Sequence, residues 1–210
     1  MSFYNFKPQL WPTIMTIPIL ILLLYLGNWQ VERLEWKLGL IKQIETRAFM
    51  DPIRILPEKS NLDDLEYLSV QITGRFNNKQ EMTLYSVGPN GEAGYDLYTP
   101  FTNNDGKIII VNRGWVPERI KDQVSRLETI KNFEHTVTGL LRKPSIKLWY
   151  GPENEPQNNN WCYGDLDGMA RTYSLGTVYP MYLYAAVDDH DPVFPVAGRT
   201  EFNIVNNHLD

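Results

Sequence analysis

Cysteine is almost missing from this chain: among 210 residues there is one, Cys162. A single thiol excludes an internal disulfide, and it removes the paired cysteines that a thioredoxin-like protein, a copper carrier or a zinc finger needs. Histidine is nearly as scarce, with three in all. The sequence contains no paired-histidine zinc motif, glycine-rich phosphate loop or nucleophile elbow. Neither catalytic residues nor a metal site are therefore assigned, and the expectation is a protein that is not an enzyme. Long basic stripes are missing too, and a net charge of −5 argues against nucleic acid as a partner.

The most telling absence is local. Residues 10–27 are 18 residues without a charge, and as a helix they would cover about 27 Å, close to a hydrocarbon core. Pro12 suits a helix start. Pro18 falls inside the run and predicts a kink, while Trp11, Tyr25 and Trp29 bracket it as interfacial aromatics do. Tyr25-Leu26-Gly27-Asn28 is a poor small-x-small cleavage site, so the run reads as an uncleaved anchor in a lipid bilayer rather than a signal peptide. Lys7 precedes the run and Arg33, Lys37, Lys42 and Arg47 follow it; the positive-inside rule taken alone places the following domain in the cytoplasm. Val31, Leu34, Leu38 and Ile41 then recur at helical spacing, predicting an amphipathic stalk that Asp51-Pro52 ends. The expected organisation is a short tail over 1–9, a transmembrane helix over 10–28, a helical stalk over 29–50 and one domain over 51–210.

Beyond residue 67 the apolar period shortens to two, with Leu68, Val70 and Ile72 on one face. A turn at 77–80 leads into a second strand near 82–87. Residues 96–101, the Asn103-Asn104-Asp105-Gly106 turn and residues 107–112 predict the clearest hairpin. Ile108-Ile109-Ile110-Val111 is apolar on both faces and should be central and buried. Further strands are expected at 134–141, 181–187 and 201–205, an ordered loop over 143–160 and a short helix over 165–173. The fold class is α+β: an N-terminal transmembrane helix and stalk followed by a single antiparallel β-rich domain.

Several polar groupings are candidate sites. Asp165-Leu166-Asp167-Gly168 resembles part of a calcium loop, but the other ligands do not follow, and a helix cap is the simpler reading. Asp188-Asp189-His190-Asp191 reads as a polar turn, Cys162 as a small apolar residue and His135 as a solvated or satisfied side chain at a strand start. Arg113-Gly114-Trp115-Val116-Pro117 reads either as a tight exit turn, with Gly supplying unusual backbone angles and Trp plugging the core, or as a surface for a partner. His208 stands at the end of the domain, where a neutral imidazole at a membrane boundary is a competent axial ligand for haem iron.

An ordered set of segments carries a family resemblance. Leu26-Gly27-Asn28-Trp29-Gln30-Val31-Glu32-Arg33, Gly74-Arg75-Phe76, Gly94-Tyr95-Asp96-Leu97-Tyr98-Thr99-Pro100-Phe101 and Val111-Asn112-Arg113-Gly114-Trp115-Val116-Pro117 come first. Gly139-Leu140-Leu141-Arg142, Pro152-Glu153-Asn154 through Asn160-Trp161 to Met169-Ala170-Arg171, Gly198-Arg199-Thr200 and Asn206-Asn207-His208-Leu209 complete it. Together they resemble the surfeit locus protein one (Surf-one) family. The resemblance implies an inner-membrane assembly factor, or chaperone, for cytochrome c oxidase of the respiratory chain, implicated in delivering haem a to the catalytic subunit. Haem a synthase is a second candidate partner. The family layout has two spans flanking a domain in the periplasm or intermembrane space, which overrides the charge count. Lacking an Arg-rich presequence, the chain is expected in a bacterial cell inner membrane, its domain facing the periplasm. His208 corresponds to the family's candidate haem ligand, with Trp29 as a haem-proximal residue. Arg113, Gly114, Trp115 and Tyr95 form a partner-binding or structural motif. In the family the Asn-His-Leu segment runs into a second span, whereas this sequence stops at Asp210, as expected either of a truncated gene product or of a sequence lacking its tail. A haem-free scaffold that binds oxidase subunits is the alternative.

Overall fold

The computed structural model describes residues 9–58, 61–88, 91–130, 132–145, 147–187 and 194–197. The chain divides into two compact units, Met1–Glu45 and Thr46–Asp210. Most of the first is one helix, α1 (Leu10–Ala48), of 39 residues. At a rise of about 1.5 Å per residue it is nearly twice as long as a hydrocarbon core is thick. Its apolar part is solvent-exposed throughout, and among the described residues it is the one helix long and apolar enough to cross a membrane. The anchor and the stalk expected from sequence are thus one continuous helix, with Pro18 inside it. In its last turn Arg47 donates to the main-chain oxygens of Asp63 and Glu66 at 2.9 and 3.2 Å, just where the short helix α2 (Leu62–Leu65) leaves carbonyls without helical partners.

Among the described residues the second unit has seven strands: β1 (Ser69–Phe76), β2 (Met82–Val87), β3 (Ala93–Asn103), β4 (Ile108–Pro117), β5 (His135–Arg142), β6 (Asn160–Trp161) and β7 (Val178–Ala185). Their order is β1-β5-β7-β4-β3-β2-β6, and β1 also pairs with β3. That extra pairing, Gly74 to Asn103 through Phe76 to Phe101, closes β1, β5, β7, β4 and β3 into a ring, a small Greek-key barrel with β2 and β6 extending one side. Two pairings are parallel, β4 with β7 and β2 with β6. The sheet is therefore mixed, not purely antiparallel: β7 reaches its place beside β4 by a crossover through α3 (Leu166–Thr172).

Side-chain alternation sorts the core into two layers. Val70, Ile72, Phe101, Ile109, Val111, Val137, Leu141, Met181 and Leu183, drawn from all five ring strands, form one cluster. Ile110, Tyr182, Tyr98 and Met82 form the other with Trp161 of β6 and with Leu166 and Met169 of α3. Because β4 feeds both layers, Ile109, Ile110 and Val111 are all fully buried. This is the physical reason its sequence runs apolar without alternation. The strand expected at 201–205 lies outside the described residues.

Candidate functional site

The Arg-Gly-Trp segment continues β4 and does not form the expected exit turn. Gly114 holds φ +118°, and a Cβ there would stand 2.4 Å from the Val196 carbonyl oxygen. The space is needed because residue 196 pairs with its neighbour: Trp115 N–H donates to Val196 O at 3.1 Å, and Val196 N–H returns to Trp115 O at 2.8 Å. The Trp115 indole lies flat on bare backbone, since a Cβ at Gly94 would come 2.5 Å from its Nε1 and one at Gly88 2.6 Å from its Cζ2. Only 4% of Trp115 is exposed. The ring is a plug, with Phe194 beside it at 6.4 Å.

Arg113 is buried as well, and it enters a charge network that the sequence does not announce. Its guanidinium lies 3.6 Å from the Glu81 carboxylate, donates to the Thr129 carbonyl oxygen and sits over the Phe76 ring at 5.0 Å. Glu81 in turn accepts two hydrogen bonds from Arg126, at 3.1 and 2.5 Å. Arg126 is wholly buried and gives two further donors to the Ile120 and Lys121 carbonyls at 3.0 and 2.9 Å. One carboxylate thus lies between two guanidiniums, and main-chain oxygens absorb the residual positive charge. Arg126 has φ −147° inside an otherwise 3₁₀ segment, Gln123–Thr129, so this bend is what turns it inward. The network ties β4, the start of β2 and the segment after β4 together. Val124 and Leu127 on that segment are left 79% and 62% exposed.

Tyr95, on β3, is half-buried. It carries Lys121 Nζ 4.0 Å from its ring centroid and meets Tyr85 edge-on at 6.0 Å. Tyr95, Arg113 and Trp115 therefore belong to one neighbourhood, in which Arg113 and Trp115 face inward. Trp29 lies on α1 with its indole partly exposed and the Arg33 guanidinium 5.4 Å above it. His208 and the Asp188-Asp189-His190-Asp191 run lie outside the described residues. The calcium-like segment is a helix cap: Asp165 accepts the Gly168 N–H at 2.9 Å. Among the described residues no group of three His, Cys, Asp or Glu side chains could hold a metal.

A buried phenol cluster lies in the second core layer. Tyr98 and Tyr184 share a hydrogen bond at 2.9 Å, and Tyr182 donates to Met169 Sδ at 3.4 Å. Burial first, and then the Tyr184 oxygen, raises the Tyr98 phenol well above its ordinary range; burial does the same for Tyr182.

The model of the SURF1 family matches residues 17–210. The chain belongs to the SURF1 family. Individual members agree with this. Human surfeit locus protein 1 is 30% identical over 200 residues, covering 88% of this chain and 66% of the human protein. The rat protein is 32% identical over 199 residues, with 88% and 64% covered. A SURF1-like protein of Caenorhabditis elegans is 33% identical over 219 residues, with 93% and 66% covered. The chain thus spans just under two thirds of the length of these relatives. The SURF1 match takes in the apolar helix from residue 17 onward, the Arg113-Gly114-Trp115 plug and the segment holding His208. Glu81 and Arg126 escape sequence reading because each sits in a polar stretch that looks solvated, and nothing local links two residues 45 apart.

Proposed function

We propose that this chain is a non-enzymatic assembly factor for cytochrome c oxidase that assists delivery of haem a to the catalytic subunit. The observation that carries the proposal is the SURF1 family match over residues 17–210, with the oxidase role that the resemblance implies. Haem a is cargo here. It is amphipathic and poorly soluble, so a carrier anchored in the bilayer must orient and shield it, and the redox chemistry belongs to the haem. His208 is the proposed iron ligand, and Trp29 the proposed haem-proximal residue. An indole with a guanidinium one helical turn away suits a flat macrocycle bearing carboxylates. The proposed setting is a bacterial cell inner membrane with the domain in the periplasm, and haem a synthase is the proposed donor.

A haem-free scaffold is the second reading, and the exposed Val124 and Leu127 favour it. Burial of Arg113 and Trp115 moves its contact surface away from those two side chains. The test is an absorption spectrum of detergent-purified protein co-expressed with the haem a synthesis pathway, beside its His208→Ala variant. A stoichiometric haem a band lost in the variant is expected. No band in either protein, together with oxidase assembly that fails in Leu127→Asp, would replace the carrier with the scaffold.

A further inference from the structure

One turn of the domain exposes three large apolar side chains in a row. Leu148, Trp149 and Tyr150 are 56%, 92% and 68% exposed. Gly151 N–H donates to the Leu148 carbonyl at 3.0 Å, which closes a four-residue turn with Trp149 and Tyr150 at its two corners. Their rings meet edge to face at 5.2 Å. The base of the turn is fastened: Lys147 pairs with Glu153, and Asn154 accepts the Cys162 and Tyr163 N–H groups at 2.8 and 3.2 Å. Turn corners ordinarily take Gly, Pro, Asn or Asp, each for a conformational reason. Two large aromatics there gain no burial and suit no turn preference, so local stability does not account for them.

We propose that the Trp149-Tyr150 turn is a second membrane contact of this chain, seated in the interfacial layer of the bilayer that its own apolar helix crosses. Three arguments favour lipid over protein as the occupant. Tryptophan and tyrosine are the side chains that settle at the headgroup boundary, with the ring body in apolar surroundings and the N–H or O–H in wet ones. A convex tip of three residues falls well short of the roughly 800 Å² per partner of a standard protein interface, whereas a bilayer accepts a convex tip. The chain is also tethered to that bilayer by its span, so a contact too weak to recruit a free protein is populated as an intramolecular event. The cation that precedes the turn in sequence, Lys147, pairs with Glu153. The contact is therefore hydrophobic in origin, indifferent to salt, and formed on uncharged lipid.

The test uses the full chain reconstituted into phosphatidylcholine vesicles, with and without bromine-labelled acyl chains. Trp149 is exposed, so Trp149→Phe folds, which far-ultraviolet circular dichroism checks. Subtracting the emission of Trp149→Phe from that of the unsubstituted chain isolates the Trp149 component. That component should be blue-shifted, lose most of its intensity in brominated vesicles and keep both properties at high salt. A Trp149 component that emits as a water-exposed indole, yields to acrylamide and ignores the bromines overturns the proposal. So does a blue shift that appears only after isolated oxidase catalytic subunit is added, which would make the turn a protein dock. Neither result depends on whether the chain carries haem.

Discussion

Charged residues in this domain fall into two energetic classes. Lys143 pairs with Asp63 and Glu66 at the surface; its ammonium is held above the usual lysine range by the Asp63 carboxylate first and Glu66 next. Solvent screens that pair, so it adds little to stability. Glu81 is different, because removing its charge leaves two buried guanidiniums facing each other. Glu81→Gln should cost about 3 kcal/mol, read from denaturant unfolding of the detergent-solubilised chain. Gly114→Ala should cost about 2 kcal/mol or more by the same measurement, because it adds both a left-handed φ and a clash with Val196. The phenols set a pH limit. Tyr98 and Tyr182 hold their protons more tightly folded than unfolded. Their contribution is complete below about pH 10 and is lost as the pH rises past it. Tyr98→Phe should lose about 1 kcal/mol at neutral pH with the Tyr184 hydrogen bond, yet show a shallower alkaline decline in unfolding midpoint.

At the level of elements, most of what has a local cause could be read in advance. The alternation in Val70 and Ile72, the Asn103-Asn104-Asp105-Gly106 turn and the continuous apolar β4 each reflect a neighbour within a few residues, and β1 to β5 stand where these signals put them. The cap on α3 is equally local, and Asp165→Ala should cost about 1 kcal/mol in a thermal melt. Elements that depend on distant partners left no such trace. Strand β6 has two residues and exists because it meets Thr83 and Leu84. The parallel pairing of β4 with β7 joins Ile108 to Val178, and no periodicity encodes which strand lies beside which. The same holds for the site. The Trp115 plug follows from its Gly-Trp pairing, while Arg126 and the Trp149 turn run against the ordinary habits of charge and tryptophan.

For the molecule as a whole, α1 is the one helix among the described residues that is long and apolar enough to cross a membrane. Alkaline carbonate should leave the chain in the membrane pellet, and a chain lacking residues 1–28 should move largely to the supernatant, because a three-residue aromatic turn alone is a weak anchor. The ring of strands has a different consequence, one of timing. Among the described residues strand β7 is its last member in chain order, and it is inserted between β4 and β5. Until residues 178–185 have left the ribosome, both of those neighbours have open edges and the barrel has no closed state to fall into. Contacts of such long sequence separation form slowly, so the domain stays open until its last ring strand arrives. The same timing makes a stop codon upstream of residue 178 worse than a shortening: it leaves two unpaired strand edges, and the truncated chain is expected in the insoluble fraction of a cell lysate.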